Sequence, residues 1–417
     1  MKQLITQFRT FDHPSRLLMI NQFGINVGFY MLMPYLAGYL AGPLGLAAWA
    51  VGLVLGVRNF SQQGMFLLGG TLADRFGYKP LIVAGCVLRT AGFALLAAVG
   101  SLPALVVASA ATGFAGALFN PAVRAYLATN SGERRVEAFA LFNAFYQGGI
   151  LLGPLAGLAL TALDFRLTCL VAAAVFAVLT VVQVRALPQQ KARRATERTS
   201  VLAEWRAVGA NRPFVLFGLA MIGSYVLSFQ VYLALPLQAR LITGSETAST
   251  ALVTSLFVVS GAVAIAGQLK VTAWFTRRWG PVRSIVIGMA LLSVAFVPLL
   301  LVPSRAAFGS VPAAAVVLLS AALLALGTIA VFPFEMDTVV RLSGNHLVAT
   351  HYGFYNTVVG VGIMLGNLFT GTLFDLARQA GWPQLVWAGL TLIGGGCVLA
   401  LYLLDRSGQL TAEPVPA

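Results

Sequence analysis

Glu335 and Asp337 stand two residues apart at the end of an apolar run, ALGTIAVFPFEMDT, and are the only acidic residues expected inside such a run. A carboxyl group at that depth has one obvious chemistry, taking up and giving off a proton. The bland alternative is that both are hydrated end residues at the membrane interface. Arg58 and Arg89 fall in the middle of two other apolar runs. A cation at mid-membrane costs about 2.5–3.5 kcal/mol on insertion scales, so each must face protein or water. Either it meets an anionic or substrate group, or it anchors neighbouring helices through hydrogen bonds. His351 offers the same choice between proton carrier and hydrogen-bonded structural residue. No nucleophile–base set, metal-ligand spacing or phosphate-binding loop is present, so no enzyme, cofactor or metal is expected. Cys86, Cys169 and Cys397 lie far apart within apolar runs and read as packing residues.

The elements that position these groups are set by composition. Of the 417 residues, 59% are hydrophobic and 10% charged, against about 25% charged in an ordinary soluble domain. Lipid is therefore the solvent. Crossing a hydrocarbon core takes about 20 apolar residues as a helix, and about twelve runs of that length recur. They cover approximately 17–40, 47–72, 80–100, 103–126, 137–162 and 166–186, then 213–238, 248–272, 281–302, 311–337, 347–374 and 382–404. The short alternating segments of a transmembrane barrel are absent from the sequence.

The net charge of +14 follows topology. With both termini cytoplasmic, Arg166, Arg240, Arg305 and Arg378 are the basic residues of outer loops, and Arg58 and Arg89 lie inside spans. The other 21 of the 27 Lys and Arg residues flank inner segments. That is the positive-inside bias, and it removes nucleic acid as an expected partner. Lys2, Arg9 and Arg16 precede an apolar stretch too long for a cleaved signal, so the first span is expected to stay. The longest hydrophilic segment, 187–212, carries Lys191, Arg193, Arg194, Arg198, Arg206 and Arg212. It divides the chain into 1–186 and 213–417, two groups of six helices joined by a cytoplasmic linker.

Two motifs give these helices mechanical roles. In GTLADRFGYKP, residues 70–80, Gly70 lets helices pack, Gly77 permits a tight turn, and Pro80 suits the start of the next helix. Asp74 is a carboxylate in a basic hairpin, where helix N-termini and cations meet, a place suited to a latch. In GILLGPLAGLAL, residues 149–160, Pro154 bends the helix while Gly149, Gly153 and Gly157 open a smooth face for a neighbour. A shift of 213 residues carries Gly149 onto Gly362, Gly153 onto Gly366 and Asn143 onto Asn356. This echo suggests duplication.

The first motif resembles the signature loop of the major facilitator superfamily, with Tyr78 in place of the family's arginine. The second resembles the antiporter motif of its exporters. LGVRNFSQQG (55–64), LRTAGFA (88–94), LDFRL (163–167) and LFDL (373–376) look like the multidrug branch of drug:proton antiporters. The resemblance implies an all-α membrane protein of the major facilitator fold, about twelve helices in two six-helix bundles, that rocks around a site at mid-membrane. It assigns gating to Gly70, Asp74, Arg75, Gly77 and Lys79, with an Asp74–Arg124 contact to replace the missing arginine. It assigns the cavity to Gln22, Asn26 and Tyr30, one face of the first span, with Arg58, Arg89, Asn143, Tyr225, Tyr232 and Asn356. Aromatic rims with few polar handles suit amphipathic small molecules. Proton coupling falls to Glu335 and Asp337, with Asp337 slightly preferred, because the first span carries Asn21, Gln22 and Asn26 where many relatives carry an acid. The expected partners are a small-molecule substrate, a proton as counter-ion and the bilayer. The expected setting is a monomer in the cell inner membrane. Two other readings stand beside efflux of drugs: export of one endogenous metabolite such as a siderophore, and a lipid-handling or signalling protein that keeps the fold without pumping.

Overall fold

The computed structural model describes residues 8–130, 135–188, 201–302, 309–344 and 348–410. Lys191, Arg193, Arg194 and Arg198 of the basic linker lie outside these residues, as does Arg305. So do the side chains of Asp74, Arg75, Arg124 and Asn143, and Gly70 beyond its helical backbone. Among the described residues every regular element is helical.

We number the long helices in chain order: α1 His13–Ala41, α2 48–76, α3 Tyr78–Ala98, α4 Leu102–Asn130, α5 Arg135–Thr161 and α6 Phe165–Ala186. A short helix, Val201–Ala210, precedes α7 Arg212–Ile242, α8 246–279, α9 281–301, α10 Ser310–Leu342, α11 Val348–Ala380 and α12 Gln384–Arg406. Among the described residues, ten helices are long and apolar enough to cross a membrane. The other two are α5, whose apolar part is Phe145–Thr161, and α2, which is broken between Ala48–Gln63 and Phe66–Phe76. Val178, Ile265 and Leu392 are among the large apolar side chains turned outward, as expected where the outer solvent is lipid.

Polar residues at the ends explain where helices start. The Asp12 side chain accepts from Ser15 N ahead of α1, Asp164 from Arg166 N ahead of α6, and Ser245 from Ala248 N ahead of α8. Each satisfies an N–H that its own helix leaves unpaired. Gly77 (φ 85°) and Gly280 (φ 71°) make the sharp turns between α2 and α3 and between α8 and α9. Only glycine adopts that backbone at no cost, and the two turns occupy equivalent places in the two halves. Besides α2, further expected helices are interrupted, α1 between Tyr30 and Met33 among them. α7 runs straight to Ser228, passes through a 3-10 turn at Phe229–Val231, and resumes at Ala234–Ile242.

The chain packs as two compact units, one of residues 1–39 and 57–196, the other of 40–56 and 197–417. In the first, α1 lies against α5 and α6, and α3 against α4 and α6. The glycines of α5 explain the closest of these contacts. A Cβ on Gly149 would come within 2.5 Å of Asn26 Cβ, one on Gly153 within 2.6 Å of Tyr30 Cβ, and one on Gly157 within 2.1 Å of the Met31 carbonyl oxygen. The carbonyl of Pro154 accepts from Tyr35 Oη at 2.6 Å. In the second unit α10 packs on α8 and α9, and α11 on α7. There the glycines at the echoed positions, Gly362 and Gly366, face Ile222 and Val226 of α7.

Candidate functional site

In the first unit, the polar face of α1 turns toward α5. Gln22 Nε2 donates to Asn26 Oδ1 at 3.2 Å, and Asn26 Nδ2 donates to the Tyr146 carbonyl at 2.9 Å. Arg58 and Arg89 are both buried. Arg58 donates to Asn59 Oδ1 at 2.6 Å and Gln62 Oε1 at 2.8 Å. Arg89 donates to the Thr112 carbonyl at 3.4 Å. The two guanidinium groups flank one ring, Phe29, at 4.4 and 5.0 Å from its centroid, and Arg89 also lies 5.3 Å from Phe176. Aromatic faces attract cations most where water is excluded. Phe29 was not legible as part of this cluster, because a phenylalanine in an apolar run carries no polar signal.

Of the gating motif, Lys79 is the described charge. Its ammonium donates to the Leu187 carbonyl at 2.6 Å, capping the C-terminus of α6 where the linker begins. The expected Asp74–Arg124 contact lies outside the described residues. Tyr78, which stands in place of the family's arginine, sits edge-on to Tyr126.

In the second unit the two candidate acids separate. Glu335 is 1% exposed, and its Oε1 accepts from Tyr355 Oη. The residue lines a cavity of about 190 Å³ whose wall includes Ser224, Tyr225, Ser228, Phe229, Thr328 and Phe332. Ser228 Oγ lies 3.1 Å from Thr328 Oγ1, and Tyr225 packs edge-on to Tyr355 and stacks on Phe229. Asp337 instead pairs with Arg341 at 3.4 Å, one helical turn along α10, with both side chains substantially exposed. Residues two apart on a helix differ by about 200° in direction, so the two acids cannot share one cavity. Tyr232 lies within the break in α7 and packs on Phe229 and Phe257. Asn356 donates to the Tyr352 carbonyl of its own helix at 2.8 Å. His351 is buried edge-on to Phe214.

This combination, long apolar helices with a buried carboxyl beside a polar and aromatic cavity, is that of a carrier. The model of the Major Facilitator Superfamily matches residues 18–367. The chain belongs to that family. An uncharacterized MFS-type transporter of Mycobacterium tuberculosis is 61% identical over 398 residues, covering 95% of this chain and 94% of its own length. The multidrug resistance protein MdtH of Salmonella arizonae is 28% identical over 385 residues, 92% of each chain. Among solved structures, the nucleoside transporter NupG superposes with a TM-score of 0.78 at 16% identity, over 94% of this chain and 99% of its own. A POT family peptide transporter gives 0.74 at 17% identity, over 95% and 97%. At such identities these last two speak for the fold. The protein is a multi-pass membrane transporter of small molecules, not an enzyme.

Proposed function

We propose that this transporter exports small amphipathic compounds by alternating access, exchanging them for protons at Glu335. The observation that carries the reading is the Glu335 carboxyl, buried against Tyr355 on a residue that lines a cavity walled by aromatic rings, with Ser224, Ser228 and Thr328 among its residues. Aromatic walls give apolar area without demanding one shape of ligand, and a few hydroxyls orient it. A carboxyl in the same wall binds either a proton or the polar end of a ligand, and competition between them is coupling. The likeness to MdtH supports efflux, and the glycine face of α5 against α1 supports a helix pair built to slide. Two six-helix halves, 1–186 and 213–417, joined by the linker 187–212, would rock about the site as a monomer in the inner membrane with both termini cytoplasmic. Everted vesicles carrying the protein, with ethidium added outside as a fluorescent amphipathic probe, test this. Energising the membrane should drive ethidium uptake into wild-type vesicles and not into Glu335→Gln vesicles. Equal uptake in both rejects the assignment.

A second reading has its own observation. Arg89 meets a carbonyl and two phenyl rings, an environment an anionic ligand would complete. Under that reading the cargo is one acidic metabolite, and an anionic probe displaces ethidium in wild type but not in Arg89→Gln.

A further inference from the structure

Residues 40–56 end α1 and begin α2, yet they pack as part of the second unit. Asp375, near the end of α11, holds them there. Its Oδ1 accepts from Ala48 N at 3.1 Å and its Oδ2 from Trp49 N at 2.8 Å. These N–H groups open a helix and have no partner within it, and negative charge is stabilised at that end. Deeper along the same two helices, backbone meets backbone. A Cβ on Gly371 would lie 2.2 Å from the Ala48 carbonyl oxygen, one on Gly52 2.3 Å from that of Asn367, and one on Gly56 2.9 Å from that of Met364. The Asn367 amide, 1% exposed, leaves its Oδ1 without a donor. The contact therefore combines close glycine-to-backbone approaches with one carboxylate on a helix terminus.

We propose that Asp375 is a gating residue: it latches the N-terminus of α2 to α11, and the latch opens once in each transport cycle. This rests on the alternating-access reading above. Residues 40–56 are joined at both ends to helices of the first unit, so rocking of the halves has to pull them off α11. The carboxylate then sets how readily that side of the protein opens.

The test needs no ligand. Cys86 and Cys397 are replaced by serine, Cys169 is kept as a buried sentinel at 0% exposure, and a reporter is introduced as Asn367→Cys. Labelling by a membrane-impermeant maleimide is followed in whole cells and in everted vesicles. Asp375→Asn should speed labelling of the reporter about two- to five-fold, the change that losing one charge at a helix terminus gives. Asp375→Glu should return it to the original rate. Gly52→Ala, which forces the helices apart, should speed it at least as much. A Cys169 that stays unlabelled shows that the bundle is intact. If Asp375→Asn labels at the original rate the latch is refuted. If that variant unfolds, an unchanged rate in Gly52→Ala refutes it equally. The side from which the reporter labels checks the orientation of the chain separately, so a wrong topology and a wrong latch give different results.

Discussion

Glu335 accepts from Tyr355, twenty residues away on the next helix, and faces Ser224, Ser228 and Thr328 across the cavity. Removing the phenol takes from the carboxyl one of its hydroxyl donors, a loss of about 1.5–3 kcal/mol for a bond to a charged group. Tyr355→Phe should therefore change the pH profile of ethidium binding while the protein still binds. Asp337→Asn should leave that profile as it is, because an exposed pair such as Asp337–Arg341 contributes at most about 1 kcal/mol. Tryptophan-fluorescence titration of the purified variants over a pH series checks both. An acid in an apolar run is legible in sequence, and so are two arginines at mid-span. Their partners are not. Spacing along one helix says which residues share a face, whereas Phe29 beside Arg58 and Tyr355 beside Glu335 depend on which helices become neighbours. The sequence leaned toward Asp337, and the structure reverses that preference by burying Glu335 and leaving Asp337 exposed beside Arg341.

At the scale of the helix, glycines decide how closely backbones approach. Gly153 sits so near Tyr30 that Gly153→Val should cost about 1–3 kcal/mol through overpacking. Gly395 of α12 has open space where a Cβ would go, and Gly395→Ala should be neutral. Thermal unfolding in detergent distinguishes them: a lowered midpoint for the first and an unchanged one for the second. The α5 glycine motif and its echo on α11 were legible, since small residues four apart have few other uses in a membrane helix. Their neighbours differ, however. Gly362 and Gly366 meet α7, but Gly371 meets Ala48. The breaks in α2 and α7 also escaped the sequence. At the α7 break, Pro236 lacks the N–H that would bond the Tyr232 carbonyl, yet hydropathy stays high straight through it.

For the whole molecule, the charge asymmetry predicts cytoplasmic termini and linker. A cysteine placed as Arg194→Cys should resist an impermeant maleimide in intact cells, and one placed as Arg305→Cys should react. The reverse pattern overturns the orientation. The all-helical class was legible because a bilayer leaves so few solutions to the backbone, and the family through the motifs at 70–80 and 149–160. That residues 40–56 pack with the second unit was not, because no local signal separates a helix from the unit its chain belongs to.

The central claim is that a proton gradient drives export through Glu335. Its most direct measurement uses purified protein in proteoliposomes, with a pH gradient imposed and ethidium followed by fluorescence. Wild-type protein should concentrate ethidium on the acidic side and stop when the gradient is collapsed. Glu335→Gln should bind ethidium yet equilibrate it without concentrating it. Concentration against the gradient by Glu335→Gln, or wild-type transport indifferent to the gradient, would contradict the account.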